Sequence, residues 1–100
     1  MTLALTPAER AAVTAILARH LPSGVRVDVF GSRATGTAKP WSDLDLVLCA
    51  DGPLSLDLMA CLAEAFDESA LPWKVDLIDR ATVDQRFGSI IDAGKVPLWP

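Results

Sequence analysis

Apolar residues return along this chain with two different periods. Across residues 8–21, AERAAVTAILARHL, the residues Val13, Ile16, Leu17 and Leu21 recur at the three-to-four spacing of one helix face. Thr6 stands where an N-cap belongs, Pro7 takes the first helical position and Glu9 lies in the first turn; Pro22 and Gly24 then stop the helix. From Val25 to Phe30 the period drops to two, with Val25, Val27 and Val29 on one side, which predicts a strand. Leu44 to Ala50 predicts a second strand, closed by the turn Asp51-Gly52-Pro53. An amphipathic helix follows over Leu54 to Phe66, with Leu58, Cys61, Leu62, Ala65 and Phe66 toward the core.

Leu71-Pro72 breaks that helix, and Trp73 to Asp79 predicts a third strand. Thr82 to Gly94 reads as a closing helix, with Thr82 as N-cap and Gly94 at its end. The tail Lys95 to Pro100 is apolar enough to pack back on the domain or on a neighbour. The order is α-β-(loop or short α)-β-α-β-α. It implies an α/β (α+β) domain: a short mixed sheet of at least three strands flanked by helices. No repeat, low-complexity segment or linker divides residues 1–100, so they read as a single domain.

Composition narrows the classes. At 51% apolar residues the chain can build a core and is no disordered tail. Its apolar runs are far too short to cross a bilayer, and Met1 to Ala8 lacks the basic start and long apolar stretch of a signal peptide. A net charge of −4 without any Lys/Arg cluster argues against a free-standing nucleic-acid binder. A polyanion handled here needs a metal ion or a partner to offset that charge. Cys49 and Cys61 make no CxxC pair and no metal spacing with the lone His20, so they read as reduced, partly buried thiols of a cytoplasmic protein.

The chemistry gathers in FGSRATGTAKPWSDLDLVL, Phe30 to Leu48. Gly31-Ser32 directly follows a strand. Gly31 allows a phosphate to approach the backbone, and the Ser32 hydroxyl with the N–H groups of Ser32, Arg33 and Ala34 can donate to it. By itself a Gly-Ser is also common in plain turns. Asp43 and Asp45 alternate on the next strand, which places both carboxylates on one face with Cα atoms roughly 6.5–7 Å apart. Hard cations take such oxygen ligands, although a solvated sheet edge can carry the same pair. Asp76 stands mid-strand between Val75 and Leu77, where Asp is disfavoured unless it is paired or functional. Were that strand to lie beside Leu44–Ala50, three carboxylates would share a face and could hold two divalent ions ~3.5–4 Å apart, the clamp of an in-line phosphoryl displacement. Each feature alone is weak; in this order they point to a site.

Other polar and aromatic residues have plainer readings. His20 complements the C-terminal dipole of the first helix. Asp28 points either toward the site or to solvent, with solvent favoured; Asp79 is non-catalytic, and Lys74 can pair with Asp76 when no metal is bound. Gly36 permits the tight return of the loop. Trp41 either stacks on a base or packs against the core, with packing favoured, and Trp73 and Trp99 read as core or interface aromatics.

Gly31-Ser32, ten intervening residues and Asp43-x-Asp45, with Asp76 downstream, resemble the signature of the DNA polymerase β-type nucleotidyltransferases. The strings GSRATGTAKPWSDLDL, VDLID and FGSIIDAGKVPLW are similar to the minimal nucleotidyltransferases (MNT), small proteins that are typically the antitoxin half of HEPN/MNT toxin–antitoxin pairs. The resemblance runs from Val27 nearly to the end of the chain. It implies the MNT fold and Mg²⁺-dependent transfer of AMP from ATP, with pyrophosphate leaving, to a side chain of a HEPN-type ribonuclease toxin. By position, Gly31 and Ser32 would hold the triphosphate, Asp43 and Asp45 would bind two Mg²⁺ ions, and Asp76 would bind the one near the attacking hydroxyl. Arg33 either contacts a phosphate or is a surface residue on a short helix. Only about six residues follow the last helix, so the acceptor platform is expected from a partner protein, in a homodimer or hetero-oligomer. The rival expectation is an antitoxin that neutralises its toxin by binding and occlusion alone.

Overall fold

Thr6 and Glu9 close the first helix reciprocally. The Glu9 N–H donates to Thr6 Oγ1 at 3.1 Å and the Thr6 N–H donates to Glu9 Oε1 at 2.9 Å, so two N–H groups that a helix start leaves orphaned are both satisfied. In the computed structural model, which describes residues 3–100, this helix is α1, Pro7–His20. Met1 and Thr2, part of the span read as one domain, lie outside the described residues. His20 ends α1 with Nδ1 3.0 Å from the Ile16 carbonyl oxygen.

After α1 the chain runs β1 (Arg26–Phe30), α2 (Ser32–Thr35), β2 (Leu44–Cys49), α3 (Leu56–Asp67), β3 (Val75–Asp79), α4 (Gln85–Gly94) and β4 (Val96–Trp99). The four strands form one mixed sheet in the order β3-β2-β1-β4. β1 pairs antiparallel with β2 and β4, while β2 pairs parallel with β3, and α3 makes the crossover that a parallel pair requires.

Alternation in the strands sorts the two faces. Val27, Val29, Leu44, Leu46 and Leu48 turn to one face and are buried under Val13 and Leu17 of α1 and Leu62 and Phe66 of α3. The opposite face carries Asp28, Phe30, Asp45, Val47 and Asp76, and α4 covers its middle, with Ile91 and Val47 buried there.

Three expectations change here. The apolar tail is the fourth strand: Pro97 lacks an N–H to give a ladder, and β4 accommodates it by lying at the sheet edge, opposite Asp28. The last helix starts at Gln85, because Asp84 Oδ1 accepts from the Phe87 N–H at 2.7 Å and caps it; Thr82 ends a short 3-10 turn over Arg80–Thr82. Asp28, read as solvent-facing, is only 2% exposed, with Oδ2 3.6 Å from Arg26 Nε and 3.5 Å from Lys95 Nζ. Burial of that carboxylate is offset by two cations, one delivered from beyond α4. Lys95 also reaches Asp92 at 3.2 Å, and Asp92 accepts from Arg80 at 3.0 and 3.3 Å. This ladder of alternating charge straps α4 across the sheet. Arg80 lies over Gly88, where a Cβ would clash with its guanidinium. Gly88 therefore allows the strap to lie flat.

Candidate active site

The parallel register of β2 and β3 sets Asp45 directly beside Asp76, and the antiparallel register of β1 sets Phe30 on the other side of Asp45. These three residues form a row across one end of the sheet, on the face that α4 half covers. Leu44 and Leu46, the flanking residues of β2, are fully buried on the other face. The alternation thus anchors the strand through its leucines and leaves the carboxylates to the open side. Asp43 precedes β2 by one residue and is exposed at the same end.

Gly31 follows Phe30 with φ +74 and ψ −155, a conformation that essentially only glycine adopts. A Cβ on Gly31 would collide with Asp45 Oδ2. The Gly-Ser turn is therefore pressed against the second carboxylate. Ser32 opens the four-residue α2, so the N–H groups of Ser32 and Arg33 have no intrahelical acceptor. The Ala34 N–H, expected to be a phosphate donor, already donates to the Gly31 carbonyl at 3.0 Å. Gly36 ends α2 in the left-handed conformation at φ 83, which turns the loop back toward β2.

Burial raises the pKa of Asp45, and the neighbouring carboxylates of Asp76 and then Asp43 push it further the same way. Lys74 Nζ lies 3.3 Å from Asp76 Oδ1, the metal-free pairing expected from the sequence. One lysine against three carboxylates leaves the cluster anionic. Its donors are carboxylate oxygens, with no thiol or imidazole, and this set suits hard divalent cations rather than zinc or copper. Among the described residues no three ligating groups are already closed around one point. A cation bound at the cluster would relieve the repulsion that helps to raise the Asp45 pKa.

Arg33 is not at this cluster. Its side chain is 5% exposed and stacks 4.4 Å from the Trp73 ring centre. Nη1 donates to the Ala4 carbonyl at 2.7 Å, and Nε and Nη2 both donate to the Ser42 carbonyl, at 3.1 and 2.8 Å. With its donors engaged by backbone carbonyls, the guanidinium fixes the loop before Asp43, and it is a buried group rather than a surface one. The Ser42 N–H and Oγ bond Lys39 in the same loop, at 3.0 and 2.8 Å. Trp41, expected to pack, is 73% exposed on that turn. Asp79 lies apart, its carboxylate accepting from the Leu54 and Ala81 N–H groups at 2.8 and 3.0 Å. Cys49 and Cys61 are free thiols, and Cys61 is exposed rather than partly buried. No described helix is long and apolar enough to cross a membrane.

A glycine turn pressed against a carboxylate row at one end of a small mixed sheet defines a nucleotidyl-transfer fold. The nucleotidyltransferase domain family matches residues 12–96, and the chain belongs to that family and is a nucleotidyltransferase. It is 43% identical over 83 residues to the probable protein adenylyltransferase MntA of Haemophilus influenzae, covering 83% of this chain and 73% of that one. Among solved structures it resembles a minimal nucleotidyltransferase (35% identity, TM-score 0.67, 91% and 90% of the two chains). It also resembles a toxin–antitoxin structure determined with AMP-PNP (25% identity, TM-score 0.74, 90% and 72% of the two chains). The minimal nucleotidyltransferase fold and the mixed sheet expected from the sequence are those found.

Proposed function

We propose that this chain is an antitoxin acting in the cytoplasm as a protein adenylyltransferase, moving AMP from ATP to a side-chain hydroxyl of a cognate HEPN-type toxin. The observation that carries the reading is the row Asp45–Asp76 with Gly31 packed against Asp45, since it joins a phosphate-approach turn to a carboxylate pair. The likeness to MntA and to toxin–antitoxin structures supports the substrate and the partner. Residues 1–100 are taken to work as one domain.

In this reading Gly31 leaves room for the triphosphate, and Ser32 donates its hydroxyl and N–H to it. Asp43, Asp45 and Asp76 would hold two Mg²⁺ ions. Bound there, the metal would neutralise the phosphate charge and polarise the α-phosphate. The acceptor oxygen attacks the α-phosphorus, and the bond from that phosphorus to the oxygen bridging it to the β-phosphate breaks. Pyrophosphate leaves with the electron pair. Asp76, at the open edge of the row, takes the acceptor's proton or favours its loss. Arg33 acts from a distance by holding the Ser42 carbonyl and so the position of Asp43.

The test is label transfer from α-labelled ATP with Mg²⁺, with the chain alone and with the protein of the adjacent gene. Asp43→Asn/Asp45→Asn is the control. Label on the partner, absent in the double variant, is the expected result. No label, with the partner still inhibited by the double variant, would make this an antitoxin that works by contact.

A further inference from the structure

Away from the sheet, α4 carries two large apolar residues, Phe87 and Ile90, that its charge strap does not require. At about 100° per residue, Gly88, Ile91 and Asp92 share the side turned to the sheet, together with Lys95 just beyond the helix. Phe87 falls at the border of that side, and Ile90 falls nearly opposite it. Ile90 is 65% exposed and Phe87 is 39% exposed. Arg86 and Ala93 are exposed on the same outer side.

This strip is continuous with the catalytic row. Phe87 meets Phe30 edge-on, with ring centres 6.3 Å apart, and Phe30 is the register partner of Asp45. Two turns further on, Gly94 comes near the methyl of Thr35, at the end of the α2 that Ser32 opens. So α4 runs alongside the phosphate turn, and Phe87, at the border of its outer side, packs on the strand partner of Asp45. The charge ladder through Arg80, Asp92, Lys95 and Asp28 holds the helix there.

We propose that Phe87 and Ile90 form the docking strip for the acceptor-bearing segment of the partner protein, a segment with apolar side chains and a carboxylate or carbonyl for Arg86. This rests on the transferase reading above, because a partner seated on the strip delivers its hydroxyl beside Asp45 and Asp76. A nucleobase is the competing occupant. A flat ring would be satisfied by Phe87 alone, whereas the outward Ile90 calls for an apolar group from something larger.

The experiment compares wild type, Ile90→Asp, Ile90→Ser and Leu56→Asp, with the adjacent-gene protein as partner. Leu56 is 87% exposed at the start of α3, in the layer on the other side of the sheet. Partner binding is followed by calorimetry, and transfer from α-labelled ATP is followed against partner and against ATP concentration; melting curves confirm folding. Both Ile90 variants are expected to weaken partner binding and raise the KM for partner roughly 10-fold or more, as for one apolar anchor. The kcat at saturating partner and the KM for ATP should hold, and Leu56→Asp should change nothing. Partner affinity in the Ile90 variants within about 2-fold of wild type, equal weakening by Leu56→Asp, or no partner binding by wild type overturns the proposal. A raised KM for ATP with partner binding intact assigns the strip to the base and overturns it too. Partner binding that depends on Ile90 without any label transfer supports the docking strip and refutes the transferase reading.

Discussion

Asp45 and Asp76 face each other across the parallel pair β2–β3, and among the described residues the one side-chain ion pair at this row, from Lys74, is to Asp76. A fold gains nothing from setting two carboxylates side by side. The arrangement costs stability in the absence of metal and is a reserve of attraction for cations.

Asp45→Asn tests that cost. Because the folded pKa of Asp45 is raised above its ordinary 3.8, the folded protein binds more protons than the unfolded chain just above pH 3.8. Stability from this group therefore falls as pH rises through the raised pKa, and the penalty is fully present at pH 7. Asn carries no such penalty. We expect Asp45→Asn to melt at the same temperature as wild type or a few degrees (~2–5 °C) higher at pH 7. The difference should vanish as pH falls to 3.8 and below. Stabilisation by Mg²⁺–ATP should be lost in the variant, since a ligand of the native state acts through mass action. Unfolding of the variant at pH 7 would mean that the carboxylate is structural.

Lys74→Met removes the competitor for Asp76. Lys74 is 68% exposed, so the pair adds little to stability, at most ~0.5–1 kcal/mol. Its charge still opposes a cation arriving at the same oxygen. The expected result is a Kd for Mg²⁺ roughly 2- to 5-fold tighter, by titration at low ionic strength, with the gain shrinking as salt rises. An unchanged or weaker affinity would separate Lys74 from the cation's site.

Arg33→Lys distinguishes loop anchor from phosphate ligand. Lysine keeps the charge but cannot bridge the Ala4 and Ser42 carbonyls while stacking on Trp73. A loss of about 2–3 kcal/mol in denaturant unfolding is expected from the buried carbonyls left short of donors. Nucleotide affinity of the folded protein should stay within a few-fold. A large affinity loss with stability intact would return Arg33 to the phosphate.

The carboxylate row was legible in the sequence because its determinants are local. Period-two spacing puts Asp45 on the open face with Asp43 just ahead of its strand, and the disfavoured placing of Asp76 marks it as unusual. The Thr6 N-cap was legible for the same reason, while its reciprocal bond with Glu9 came only with the structure. What failed depends on distant partners. Nothing near Asp28 announces that Lys95 will cover it, and nothing near Arg33 announces carbonyls from Ala4 and Ser42. β4 was hidden by its proline, Pro97, which excludes a central strand yet suits an edge. Phe87 and Ile90 could have been noticed as an apolar stripe too broad for one sheet contact.

Gly31→Ala is the sharpest test of how the phosphate turn and the row depend on each other. Two penalties fall on the alanine. Its backbone would keep a positive φ with extended ψ, at a cost of about 1–3 kcal/mol, and its Cβ would drive into Asp45 Oδ2. Only the second penalty involves Asp45. In an Asp45→Ala background the nearest remaining atom is the residue-45 Cβ, 3.6 Å away, an ordinary contact. Gly31→Ala should then cost clearly less in unfolding free energy than it does in wild type, with a coupling of roughly 0.5–3 kcal/mol in the double-mutant cycle. Equal costs in both backgrounds would mean that the turn and the carboxylate are independent, and that the close approach of Gly31 to Asp45 does not define the site.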